Sequence, residues 1–228
     1  TNISASVGVG AGSVVYKYKI TAVENENYEE SLTGLAAGKN ITAVTKANPC
    51  KVTAVGHGYS TGDEVNISNV IGMTEINNLT KMITVVDANN FTLDGVDSTS
   101  FTTYTSGGVS KRTHANVTNN LATAGNTNII SWTAVSGAIK YNIYKNKSGI
   151  YGYIGSSETN SFTDDNILAD VSDTPPREGN PFGDDGSTKC PSVVAFQNQR
   201  RIFANTAEKP DTIFMSRADR KSTRLNSS

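Results

Sequence analysis

Side chains suited to catalysis or metal binding are scarce: the 228 residues include two histidines, two cysteines, one tryptophan and three methionines. His57 and His114 are the only histidines, and no Ser-His-Asp or Cys-His site is assembled around either of them. Cys50 and Cys190 have no CxxC partner and no histidine at zinc spacing, which excludes a metal knuckle and leaves two unpaired thiols as the expectation. No apolar run approaches the roughly 18 residues that a membrane-spanning helix needs. An excess of one charge is missing too. Lys and Arg number 20 against 21 Asp and Glu, and no basic stripe precedes the last ten residues, which argues against a protein built to hold nucleic acid. The length admits two or three small domains but not a large catalytic barrel with a lid.

Thr, Asn and Ser, by contrast, supply 74 residues, about a third of the chain. β-branched Thr favours strands, while Ser and Asn favour turns, so this composition predicts an all-β chain of polar-faced sheets. Apolar residues at 36% suit several thin cores rather than one thick one.

The segment VVYKYKITAV, Val14 to Val23, alternates as a half-buried strand does, with Tyr16, Tyr18, Ile20 and Ala22 on one face and Lys17, Lys19 and Thr21 on the other. Tyr28 to Thr33 is expected to return as a second strand, and the small residues of Gly34 to Asn40 to form a linker. Between Ile41 and Arg112, six short strand patterns follow one another: ITAVTK, CKVTAV, DEVNISNV, TKMITVV, NFTL and GGVSKR. Asp87 to Asn90 separates two of them as a hairpin loop would, and Met73 to Asn78 is the one place for a helical turn. Strands so short and so close suggest a small closed barrel, which removes exposed edges. Asn128 to Thr163 is again all β, with Ile130 and Trp132 on one strand face and Tyr141 and Ile143 on another, as two facing rows of a sandwich core. A Pro- and Asp-rich connector, Asp170 to Gly186, precedes three more strand candidates, PSVVAF, RRIFAN and DTIFMS.

Three resemblances add to this. NIISWTAVSGAIKYNIYKNKSG resembles the second and third strands of a fibronectin type III domain, with Trp132 as its core tryptophan, and YKYKITAVENENYEES resembles the last two strands, with Tyr16 or Tyr18 as corner tyrosine. The order is reversed, so the pieces imply one circularly rearranged sandwich, or two partial ones, interrupted by an insert. The insert is similar to the small FCCH-type β-barrel of ubiquitin-activating enzymes, also found in bacteriophage virion proteins. The match rests on Pro49, Val52-Thr53, His57-Gly58, Gly62-Asp63, Val65, Ile67, Gly72-Met73, Asn77, Phe91, Leu93, Asp97 and Tyr104 to Gly108. Ser172 to Ala218 resembles the opening of the β-rich body of tail nozzle (tail tubular) proteins of short-tailed bacteriophages, in which a Pro-rich connector, NPF, PxxVxFxxxR and PxTIxxSR occur in this order; Asn198 departs from that pattern. The last ten residues, DRKSTRLNSS, look like the translation of a sequencing adapter, and with Thr1 at the start they suggest an interior fragment of a longer protein.

The expected boundaries are 1–38 and 113–169 for a split fibronectin type III-like sandwich, 39–112 for an SH3-like, FCCH-type barrel, 170–218 for the connector and the start of a larger β-rich domain, and 219–228 for the adapter-derived tail. The resemblances imply a non-enzymatic virion component of a phage tail. Its partners would be other virion subunits in a homo-oligomeric ring, with host-surface glycans as an alternative, and without membrane or specific nucleic-acid binding. No catalytic, cofactor-binding or metal-binding residue is assigned. His57, between two glycines, reads as structural, and His114 in its polar linker receives no role. Asp164-Asp165 and Asp184-Asp185 read as solvated turns, since neither shows calcium-loop spacing. Arg200, Arg201 and Arg217 read as solvated charge. Tyr151 and Tyr153 are the candidate ligand contacts, because tyrosine on an exposed sheet face can stack on a sugar ring. Tyr16, Tyr18, Trp132, Tyr141 and Ile143 are the expected structural core.

Overall fold

The computed structural model describes residues 2–24, 30–176, 191–198, 200–206 and 210–215. The regular structure of the described residues is almost all strand: β1 (Asn2–Val9), β2 (Val14–Glu24), β3 (Leu35–Ala36), β4 (Lys39–Asn40), β5 (Ala43–Val44), β6 (Cys50–Thr53), β7 (Glu64–Ile71), β8 (Thr80–Val85), β9 (Asn90–Leu93), β10 (Ser106–Arg112), β11 (Ala115–Asn119), β12 (Thr127–Trp132), β13 (Ala138–Lys147), β14 (Ile150–Ser157), β15 (Ser161–Asp164), β16 (Val193–Gln197), β17 (Arg200–Ala204) and β18 (Ile213–Met215). Among the described residues one 3-10 turn, Thr74–Ile76, falls where the sequence allows a helical turn. No helix among the described residues is long and apolar enough to cross a membrane.

Two four-stranded sheets, ordered β15-β12-β1-β3 and β11-β2-β13-β14, enclose one apolar cluster. Tyr18 and Ile20 of β2, Tyr141 and Ile143 of β13 and Ile154 of β14 meet Ile3, Ile130 and Trp132 of the other sheet. The period-2 alternation of β2 is the cause: its apolar face enters this cluster, leaving Lys17 and Lys19 on the opposite face. Strand β1 joins from the far end of the chain, antiparallel to β12 with Ile3 opposite Trp132.

The expected return strand from Tyr28 to Thr33 does not form in its described part. Only the bridge Val23–Glu30 is made, and Ser31 takes over the pairing of Ala22, its N–H donating to the Ala22 carbonyl and its Oγ accepting the Ala22 N–H. The expected linker from Gly34 to Asn40 instead contains β3, parallel to β1, and β4, antiparallel to β10. Both complete sheet edges that would otherwise expose unpaired backbone.

Residues 39–112 form a seven-stranded sheet, β4-β10-β7-β8-β9-β6-β5, curled around its own core of Val52, Val65, Ile67, Met73, Ile76, Ile83, Phe91 and Leu93. Its first and last strands are one continuous stretch of chain. Asn40 pairs with Val109, the Ile41 N–H donates to Gly108, the Thr42 N–H to Thr53, and Val44 pairs with Val52, so residues 39–44 bridge the two ends of the sheet. At Gly72, φ is +93° and an added Cβ would lie 2.2 Å from the Thr103 carbonyl oxygen, so only glycine fits the corner after β7. Cys50 is buried here as a free thiol, which burial shifts toward the protonated form; Cys190 lies outside the described residues.

The segment from residue 178 onward is a separate unit, in which β16, β17 and β18 make an antiparallel sheet with Val194, Phe203 and Phe214 in register.

Candidate functional site

The barrel joins the sandwich through a short passage. Strand β10 ends at Arg112 and β11 begins at Ala115, leaving Thr113 and His114 between them. Arg112 pairs with Val65 of β7 and the Thr113 N–H donates to the Glu64 carbonyl, while Ala115 pairs with Tyr18 of β2. These registers bring the start of β7, with Asp63 just before it, against the lysine face of β2.

Asp63 is fully buried and is the centre of the contact. Lys17 Nζ donates to its Oδ1 at 2.8 Å, the Ser60 N–H to its Oδ2 at 3.0 Å, Arg112 lies 3.7 Å from Oδ2, and His114 Nε2 lies 3.3 Å from Oδ1. Burial resists ionisation of this carboxyl. The contacts from His114, Lys17 and the Ser60 N–H outweigh it and hold Asp63 well below the usual carboxylate range. Beside it Glu64 Oε2 accepts from Lys19 Nζ at 2.9 Å and from Thr113 Oγ1 at 2.6 Å, and it too is held low against its burial. His114 is only 2% exposed, and neither ring nitrogen makes a hydrogen bond among the described residues. Burial favours the neutral ring, more strongly than Asp63 favours the charged one.

A cavity of about 830 Å³ opens beside this cluster, lined among others by Lys17, Lys19, Glu64, His114, Met82 and Tyr151. The Lys19 ammonium sits 4.7 Å from the centre of the Tyr151 ring. Burial first, then the charges of Glu64 and Asp63, push the Tyr151 hydroxyl above its ordinary range, so it stays a protonated donor.

Tyr151 and Tyr153 are half-buried rather than displayed on a bare sheet face. Tyr151 lines the cavity, whereas Tyr153 packs edge-on against Tyr144 with centroids 6.0 Å apart. Tyr18, Trp132, Tyr141 and Ile143 lie in the sandwich cluster, with Tyr16 packed against it and its hydroxyl accepting the Leu121 N–H at 3.0 Å. His57 is buried, its Nδ1 accepting the Tyr59 N–H at 2.9 Å and its Nε2 facing the Asp87 carbonyl at 3.0 Å, which is a turn-fixing role.

Two expectations are corrected. His114 is not in an open polar linker, because the β10–β7 and β11–β2 ladders on either side of it carry it into the interface. Asp164 is not solvated: it is fully buried, pairs with Lys145 at 2.9 Å, accepts from Tyr18 Oη at 2.7 Å and caps the Asn166 and Ile167 N–H groups at 3.1 and 2.8 Å. Arg200 and Arg201 are exposed, as expected; Asp184, Asp185 and Arg217 lie outside the described residues. Among the described residues no cluster of three or more His, Cys, Asp or Glu is arranged to hold a metal ion. The sequence carried one usable signal for the interface: the Lys17/Lys19 row complements the adjacent acids Asp63-Glu64.

Residues 47–113 match the family described as "Ubiquitin-activating enzyme E1 FCCH domain". The match covers the barrel except its closing stretch, and it agrees with the resemblance seen in the insert's turn and core residues. No curated protein matches the chain. Among solved structures, phage phi92 endosialidase is similar at 16% identity and a TM-score of 0.27, over 96% of this chain and 36% of that one; the chain thus spans about a third of that protein's length.

Proposed function

We propose that this chain is a non-catalytic structural component of a bacteriophage tail, resident in the virion and acting through shape. The observation that carries the reading is the Asp63 cluster. It clamps the inserted barrel to the sandwich through buried, charge-assisted contacts at a two-residue junction, which suits a rigid structural arm better than a hinged lid. The motif order from Ser172 to Ala218 and the FCCH-type module support the same assignment, and the strand arrangement supports a rearranged fibronectin type III-like sandwich. The partners are other virion subunits, including copies of the same chain in a ring. The test is immunogold labelling of phage particles whose genome encodes this chain, using antibodies raised against residues 1–176. Label confined to tails is the expected result. Particles free of the polypeptide, or turnover of a substrate through groups of this chain, overturn the proposal.

A second reading, adhesion to surface glycans, is favoured by one feature: Tyr151 lines a cavity large enough for a saccharide. Selective glycan capture lost in Tyr151→Ala supports it, and capture unchanged in that variant removes it.

A further inference from the structure

The cavity beside the Asp63 cluster holds more hydrogen-bond donors than the protein's own acceptors engage. Lys17 and Lys19 each carry three N–H bonds, and each gives one to a carboxylate, Asp63 or Glu64. Tyr151 Oη, in the same lining, has no hydrogen-bond partner among the described residues. His114 also lines the cavity, with both ring nitrogens enclosed and Nε2 turned to Asp63 Oδ1 at 3.3 Å, so its ring reports on the site without donating into it. The formal charge points the same way: Lys17, Lys19 and Arg112 stand against Asp63 and Glu64 around a neutral imidazole, an excess of one positive charge. The rim supplies apolar surface, with Ile150 50% and Met82 48% exposed beside Pro175 and Pro176.

A ligand suited to these walls brings one negative charge, several acceptor oxygens and an apolar edge. Lys19 already occupies one face of the Tyr151 ring, which disfavours simple stacking of a neutral sugar and leaves the hydroxyl as the functional end of that side chain. We propose that the cavity binds the carboxylate-bearing residue of an acidic saccharide. The carboxylate accepts from the lysine ammonium groups and Tyr151 Oη, the sugar hydroxyls donate to Glu64 Oε1, and the C–H edge rests on Ile150 and Met82. This deepens the glycan-adhesion reading, on which it rests, by naming the class of glycan and the groups that select it.

The test is a solution NMR titration of the full chain with a glucuronate-containing disaccharide, its carboxyl-reduced neutral counterpart, and acetate. With two histidines in the chain, the ring signals of His114 and His57 are separately assignable. The acidic disaccharide is expected to shift the His114 ring and leave His57 unmoved, with affinity at least tenfold above that of the neutral one. Tyr151→Phe, which keeps the ring, is expected to weaken binding several-fold with the His57 signals unchanged, and Lys19→Met, which removes one ammonium group, to weaken the acidic disaccharide more than the neutral one. Equal binding of acidic and neutral disaccharides overturns the charge selection while sparing the glycan reading. Acetate binding as tightly as the acidic disaccharide overturns the saccharide assignment and the glycan reading with it. No response from any probe overturns both.

Discussion

Replacing Asp63 with Asn tests the clamp between barrel and sandwich most sharply. The substitution keeps the shape and lets the amide oxygen still accept the Ser60 N–H, but it leaves Lys17, Arg112 and His114 facing a neutral group. Breaking a buried charge pair typically costs about 3–5 kcal/mol. Here the orphaned cations recover some hydration, since the Lys17 side chain is 27% and that of Arg112 19% exposed, which brings the expected loss to about 2–3 kcal/mol. The single tryptophan, Trp132, lies in the sandwich core, so its fluorescence in a urea titration reports the sandwich, while hydrogen exchange at Ile67 and Phe91 reports the barrel. Both probes are expected to lose stability in Asp63→Asn. A double-mutant cycle with Lys17→Met should show a coupling of at least ~1 kcal/mol. If barrel exchange accelerates while the Trp132 midpoint stays put, or if both change by less than ~0.5 kcal/mol, the reasoning fails.

Further outcomes follow from the same contacts. His114 is kept neutral in the fold while the unfolded chain protonates near the ordinary 6.5, so stability is full above that pH and declines as pH falls below it. Asp63 adds a second decline once pH falls below its ordinary 3.8, toward its lower folded value. Denaturation curves across pH are expected to lose the upper step in His114→Gln, whereas Asp63→Asn shrinks the lower one and leaves the share that Glu64, also held low, contributes. Asp164→Ala strands Lys145 and frees the Tyr18 hydroxyl, at an expected cost of about 3–5 kcal/mol read from Trp132 fluorescence. Gly72→Ala forces both a disfavoured φ and a backbone clash, so barrel stability should drop by at least ~1–3 kcal/mol in thermal unfolding. In a Cys190→Ser background, Cys50 should resist a thiol reagent in the native state and react on unfolding, because it is buried and its thiol shifts toward the protonated form.

Strands with one buried face were legible in the sequence, because burial on a single face imprints a period of two. Strand β2 shows it from Tyr16 to Ala22, β12 at Ile130 and Trp132, and β7 at Val65 and Ile67. The closing stretch of the barrel was not, since β4 and β5 are two residues each and no periodicity exists at that length. Strand β1 finds its partner β12 more than a hundred residues away, a pairing that local pattern does not encode. The polar centres were hidden for a related reason. Whether Asp63, His114 or Asp164 is buried depends on the register of strands that meet only in the fold, and a carboxylate looks the same in sequence whether water or Lys145 satisfies it.

The claim that barrel and sandwich move as one body is tested most directly by residual dipolar couplings measured on amides of both cores. The clamp predicts that Ile20, Ile130 and Ile143 of the sandwich and Ile67, Ile83 and Phe91 of the barrel fit a single alignment tensor. Two tensors of different magnitude, one for each core, would contradict it.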